Sequence, residues 1–347
     1  MNNAAHPSTP SRPLRKVIPW LELAILGAGL ILPAFTDDFW TLFLTRVFIL
    51  GLLALSFDLV WGYAGILSFG QALFFGMGGY CTALLATEVG ITSILVLLPV
   101  AGLVGLIVSL ILAFIVILGR RVPSTVFVAL GTLTGSYVVE RLARGWSYVG
   151  GQNGIPSLPR LTLGNHEIAE GVWFYYMALG ILLGIYVLLK FLTRSQLGLV
   201  LAGIRQHETR ITFFGYRVQH VKGIIFAVSG FIAGLAGGIY AFHEGYVGPG
   251  QLSPVLSTQV VLYVLFGGVG TLIGAVVGAG VIEYLSFMLS EQYQRLWPII
   301  LGLLLLVIVM FRPTGLIGFF VSNRERIGSF GRPDDAVPES DTDKKPA

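Results

Sequence analysis

Apolar runs long enough to cross a bilayer set the first limit on this chain. A helix needs roughly 20 apolar residues to traverse about 30 Å of hydrocarbon. Residues 17–35, 39–61, 69–87, 92–119, 122–140, 171–192, 221–242 and 296–311 each approach that requirement. The stretch 256–289 is too long for one simple span and is interrupted by Gly267, Gly268 and Gly270, so it reads as two short segments. Hydrocarbon offers the backbone no hydrogen bonds, and a helix satisfies its own. The expected fold is therefore all-α, a polytopic membrane protein of about 8–10 transmembrane helices with glycine-broken or re-entrant segments. A soluble domain is excluded from the other direction: 12% of the residues are charged, against about a quarter in soluble domains.

The ends of the chain differ from its middle. Residues 1–16 are polar and close with Arg12, Arg15 and Lys16 ahead of the first run. The pattern is like a signal peptide, but no small-x-small cleavage site follows and many similar runs come later, so 17–35 is read as the first span. Residues 17–320 form the expected transmembrane domain, and 321–347, polar and Pro-containing, an expected disordered tail. Cys81 is the single cysteine and excludes an intrachain disulfide. The net charge of +4 comes from arginines set between apolar runs, where they orient a chain in lipid. No basic patch on a soluble domain points to nucleic acid.

Positive charge marks the cytoplasmic side. Arg120 and Arg121, the loop 193–221, and Arg312 with Arg324 and Arg326 are placed there, together with both termini. Counting crossings from an inside N-terminus then puts 61–69 inside, 88–91, 141–170 and 243–255 outside, and 193–221 inside. A tail inside after Arg312 requires 256–289 to begin and end on one side. That stretch is expected to dip into the membrane and return, with Gly267, Gly268 and Gly270 at its inner turn.

A second glycine-rich region, GYAGILSFGQALFFGMGGY (62–80), lies in the other half of the chain. Gly62, Gly65, Ser68 and Gly70 are candidate helix breaks or path residues, because paired interrupted segments in two halves mark transport sites. Close helix packing is the alternative use of such glycines. The stretch RQHETRITFFGYRV (205–218) concentrates charge in a charge-poor chain. Ile204, Glu208 and Ile211 recur at helical spacing, which predicts an amphipathic helix along the inner face with Gly215 as its stop.

Catalytic patterns do not emerge. A phosphate-binding loop needs G-x-x-x-x-G-K-[ST], and Gly-Lys never occurs here. His6, His166, His207, His220 and His243 fall in expected loops, tails or segment ends without Cys or carboxylate at ligand spacing. No G-x-S-x-G surrounds Ser68. The chain is expected to be no enzyme and to hold no metal or cofactor. Among intramembrane ionisable residues, Arg46 and Asp58 are more than three turns apart and cannot pair with each other. Each most simply reaches its nearer interface. Glu283 lies deeper, where it lines a path or meets a partner helix.

The 62–80 motif resembles the signature of the membrane subunits of branched-chain amino acid ABC importers, Gly-Tyr-x-Gly-x-x-Ser-x-Gly-x-x-x-Phe-x-x-x-Gly-x-Tyr. Here Gly62, Tyr63, Gly65, Ser68, Gly70, Phe74, Gly78 and Tyr80 fill it. The similarity continues at an outer turn with Gly150, Gly151, Asn153, Gly154 and Ile155, in FGGVGTLIGAVVGA (266–279) and in FRPTGLIG (311–318), covering most of 40–320. The resemblance implies that 205–215 is a helix presented to a separate ATPase, with Arg205, Glu208 and Gly215 at matching positions. Gln206, Arg210 and Ile211 depart from the family's pattern there. It further implies a second permease subunit, two ATP-binding subunits, a periplasmic substrate-binding protein, the bacterial inner membrane and alternating access. Branched-chain amino acids are the first substrate class, amides and urea the alternative. A secondary transporter or channel of another class would call for paired intramembrane carboxylates or histidines, and the pattern shows isolated ones.

Overall fold

Helices account for most of the described backbone. The computed structural model describes residues 27, 29–35, 37–119, 124–164, 166–168, 171–292, 299–300 and 302–303. The tails 1–16 and 321–347, the FRPTGLIG motif and most of runs 17–35 and 296–311 lie outside the described residues. In chain order the α-helices are α1 (Asp38–Asp58), α2 (Gln71–Glu88), α3 (Ile94–Val116), α4 (Thr125–Gly145), α5 (Val172–Arg194), α6 (Gln196–Gln206), α7 (Glu208–Phe213), α8 (Val218–Glu244), α9 (Pro254–Gly267) and α10 (Leu272–Gln292). Short strands β1 (Ile155–Pro156), β2 (Leu161–Leu163), β3 (His166–Ile168) and β4 (Tyr246–Val247) decorate the loops. Among the described residues six helices are long and apolar enough to cross a membrane, and α9, at 14 residues, is too short to do so alone.

Small residues decide which helices touch. On α8, Gly230, Gly234 and Gly238 recur every fourth residue and form one bare stripe. It lies against Ala101, Gly105 and Ser109 of α3: a Cβ on Gly234 would stand 2.4 Å from the carbonyl oxygen of Ala101. Gly78 of α2 meets the same stripe, 2.3 Å from the Gly234 carbonyl on the same construction. Lipid tails are as apolar as leucine, so close van der Waals packing of this kind holds membrane helices together. Gly76, Gly78 and Gly79 thus serve packing inside a regular helix, while Gly62, Gly65 and Gly70 flank a true break.

Helix ends follow local chemistry. Ser253 caps α9 with its hydroxyl on the Val255 N–H, and Pro254 occupies the first turn, where no N–H is needed. Gly245, at φ 62°, closes α8. The loops 146–171 and 245–253 are tied by Ile155 pairing with Val247 and Pro156 with Tyr246.

The glycine-broken stretch 254–292 forms two helices joined at Gly268–Thr271 that pack antiparallel, Gly267 against Gly274 near the turn and Gln259 and Tyr263 against Glu283 farther from it. The stretch 61–69, counted on the inner side from the sequence, is not a surface loop. Residues 64–70 leave helical conformation yet Ala64, Ile66, Ser68 and Gly70 are buried. The chain turns back into the bundle, and α2 begins at the depth of Ser56, seven residues and about 10 Å before the end of the preceding helical run.

Candidate functional site

Two places where regular helix fails come together. After Asp58, α1 widens into a π-helical turn, Leu59–Tyr63, a geometry concentrated at functional positions. Arg205 donates from Nη1 to the carbonyl oxygen of Gly62. The Gly270 N–H donates to Asp58 Oδ1 at 2.7 Å. Gly270 has φ 77°, a left-handed conformation that lets its N–H point at the carboxylate without a Cβ clash. Gly62 is required by contact: a Cβ there would lie 2.3 Å from Asp58 Oδ1 and 2.7 Å from the Gly270 nitrogen. The 62–70 region, the 267–271 turn and the 205 helix therefore meet at one junction.

Asp58 is fully buried. It does not reach an interface, contrary to expectation, because the returning turn supplies its donor. Its second oxygen, Oδ2, has no hydrogen-bond partner among the described residues.

The unwound strand 64–70 is held by side-chain hydroxyls. Thr132 Oγ1 accepts from the Phe69 N–H at 3.0 Å, while Ser136 and Ser257 donate to the Phe69 carbonyl at 3.1 and 2.7 Å. Ser68 Oγ accepts from the Gly70 N–H at 3.1 Å, and Ser257 Oγ accepts from the Ala72 N–H at 3.0 Å. Beside them Gln71 donates to Ser229 at 3.0 Å and accepts from Ser56 at 3.1 Å. Non-helical backbone at membrane depth survives only when the protein satisfies it, and α4 and α9 do so here. Sequence reasoning missed Gln71, Thr132, Ser136, Ser229 and Ser257. The signal was a lone Gln in an apolar run and two hydroxyls four residues apart, on one face of α4.

The 205–218 stretch is two helices, not one. His207 adopts φ −149° and ψ 88°, which ends α6 and turns α7 back, with Ile211 resting where a side chain on Gly203 would stand. Glu208 accepts from Lys222 Nζ at 2.7 Å and ties α7 to the first turn of α8. Gly215, at φ 86°, lies just past α7, and Phe213 and Phe214 are exposed. Arg205 and Glu208 thus both hold contacts within this chain.

At the opposite end of the bundle, the turn 150–155 packs onto the end of α8. Gly154 comes so close that a Cβ would lie 2.2 Å from the Val247 carbonyl, while Gly151 takes φ 57° and Asn153 is exposed. Arg46, with a side chain 43% exposed, also has partners within this chain. It faces Glu283 at 3.5 Å and Glu244 at 3.7 Å.

Residues 40–310 match the family described as the permease component of branched-chain amino acid transport systems. The chain belongs to this family. The permease is 29% identical over 298 residues to the high-affinity branched-chain amino acid transport system permease protein LivM of Escherichia coli, covering 79% of this chain and 68% of that one. It is 25% identical to the probable LivM permease of Methanocaldococcus jannaschii (77% of this chain, 89% of that one) and to the permease BraD of Pseudomonas aeruginosa (77% and 91%). No solved structure matches it. The permease is thus a multi-pass membrane transport component and not an enzyme.

Proposed function

We propose that the permease is one membrane half of an ATP-driven importer that carries branched-chain amino acids across the bacterial inner membrane by alternating access. A second permease subunit would complete the pathway, two ATP-binding subunits would dock on the cytoplasmic side, and a periplasmic binding protein would deliver substrate. Both termini then face the cytoplasm. The observation that carries this reading is the junction of Arg205 with Gly62 and of Asp58 with Gly270. A push on α6 and α7 reaches both broken segments through two hydrogen bonds, as a rigid-body switch requires. The names of the relatives favour branched-chain substrates over amides or urea.

Uptake of labelled leucine and labelled urea in a strain lacking the gene, with and without the gene restored, tests the reading. Restored leucine uptake that disappears on ATP depletion is the expected result. Glu208→Ala, which releases α7 from Lys222, should abolish that uptake while the protein remains inserted. Gradient-driven uptake by the chain alone in vesicles would overturn the importer reading, and restoration of urea uptake only would move the substrate to the alternative class.

A further inference from the structure

A water-accessible cavity of about 800 Å³ lies between α1, α8, α9 and α10. Its rim includes Phe39, Phe43 and Phe287, and its floor Arg46, Glu283 and Gln259. Arg46 is eight residues into α1, so the floor sits about 12 Å below the helix start. The volume falls in the range of small-molecule sites, about 300–1,000 Å³.

The floor is charged and only partly self-satisfied. Glu283, 5% exposed, is fixed by Gln259, which donates to Oε1 at 2.9 Å, and by the Tyr263 hydroxyl. Arg46 stands farther off. Its contacts to Glu283 and Glu244 are 3.5 and 3.7 Å, and its buried Nε has no hydrogen-bond partner among the described residues. Nδ1 of the neighbouring His243 is buried and without a partner as well. A guanidinium carries five donors in a planar fork suited to a carboxylate. Here those donors are held near the cavity by charge and not consumed. Glu244 at the side is a partly exposed carboxylate that also lines the cavity, and the aromatic rim offers an apolar wall.

We propose that this cavity is an intramembrane binding site for a zwitterionic α-amino acid with an apolar side chain. Arg46 takes the α-carboxylate, Glu244 the α-ammonium, and Phe39, Phe43 and Phe287 the side chain. Glu283, locked by Gln259 and Tyr263, positions Arg46. The inference rests on the importer reading for its substrate class and adds a site on the permease itself. Ionisable residues at membrane depth are expensive to keep and mark substrate pathways. Arg46 and Glu283 inside their helices, with Glu244 at the end of α8, surround one open cavity, the arrangement a charged but net-neutral solute needs.

Binding of labelled leucine to the full-length chain in phosphatidylglycerol nanodiscs tests the proposal. Displacement would be compared among leucine, isoamylamine, which lacks the carboxylate, and 4-methylpentanoate, which lacks the ammonium. Saturable binding is expected, with both analogues at least tenfold weaker than leucine. Arg46→Lys, which keeps the charge but loses the fork, and Ser286→Phe, which fills the cavity without touching its charges, should each weaken binding about tenfold or more in correctly folded protein. No saturable binding, equal displacement by the analogues, or wild-type affinity in both variants would overturn it. Phosphatidylethanolamine shares the ammonium and anion, so leucine binding absent in phosphatidylglycerol but paired with retained ethanolamine lipid would assign the cavity to a headgroup and sink the proposal. If the complete transporter carries leucine while both variants bind it normally, the cavity falls and the importer stands. If the cavity binds leucine but the complete transporter carries none, the reverse holds.

Discussion

Asp58 shows how much one side chain does at the junction. A fully buried carboxylate is costly to leave without hydrogen-bond partners, so its retention calls for a compensating contact. That contact is the N–H of Gly270, 212 positions away in sequence. Asp58→Ala removes the acceptor and leaves a buried donor unpaired, at a cost of about 1–3 kcal/mol. Leucine uptake per folded molecule is expected to fall at least tenfold. Asp58→Asn retains an acceptor oxygen and should keep more activity than Asp58→Ala. Uptake normalised to the monodisperse protein peak checks this, and a wild-type rate in Asp58→Ala would detach the residue from transport. Sequence could not place this carboxylate. Read as part of a regular helix near the inner end, it appeared able to reach water, and the donor that claims it belongs to a distant turn no local pattern connects to it.

At the level of elements, the span boundaries were legible and the breaks partly so. Runs such as 92–119 and 171–192 declare themselves through apolar length alone, because hydrocarbon thickness fixes a helix's reach. The parity of charged loops likewise called for 256–289 to turn back, and α9 and α10 do pack on each other across the Gly268–Thr271 turn. The strand 64–70 was not legible as buried, since its glycines fit a surface loop equally well and its hydrogen bonds come from α4 and α9. His207 hid a break inside a sequence with helical periodicity. The hydroxyls that hold the strand yield a prediction at this scale. Ser257 donates to the Phe69 carbonyl and accepts from the Ala72 N–H. Ser257→Ala leaves the Ala72 N–H without its acceptor and the Phe69 carbonyl with Ser136 alone, and should destabilise the folded protein by about 1–3 kcal/mol, lowering its thermal midpoint in detergent by several degrees. Thr134→Ala is the control. Its hydroxyl is exposed and bonds only within its own helix, to Leu130, so its midpoint should stay near wild type. Equal midpoints for the two variants would mean that the strand does not depend on Ser257.

Across the whole molecule, the ends of the bundle carry opposite chemistry, and that asymmetry predicts its orientation. Arg205 lies beside Gly62 and the Gly270 turn, and α6, α7 and the start of α8 contribute Arg210, Arg217 and Lys222 at the same end. The other end gathers the outer turn, the β1–β4 pair and the approach to the Arg46 cavity. Lysine and arginine in short loops stay on the cytoplasmic side, so the first end should face the cytoplasm. The structure fixes which loops share an end, and only the assignment to a compartment rests on charge. Single cysteines in a Cys81→Ala background at Gln152, His207 and Asn323 test it with a membrane-impermeant maleimide on intact cells. Gln152 and His207 are both exposed, so accessibility does not limit labelling at either. Gln152 should react in intact cells, whereas His207 and Asn323 should react only after permeabilisation. Because 205–215 and the glycine junction are physically linked, an outward His207 would turn the whole bundle over. It would carry α6 and α7 away from any cytoplasmic ATPase and place the Arg46 cavity on the inner side.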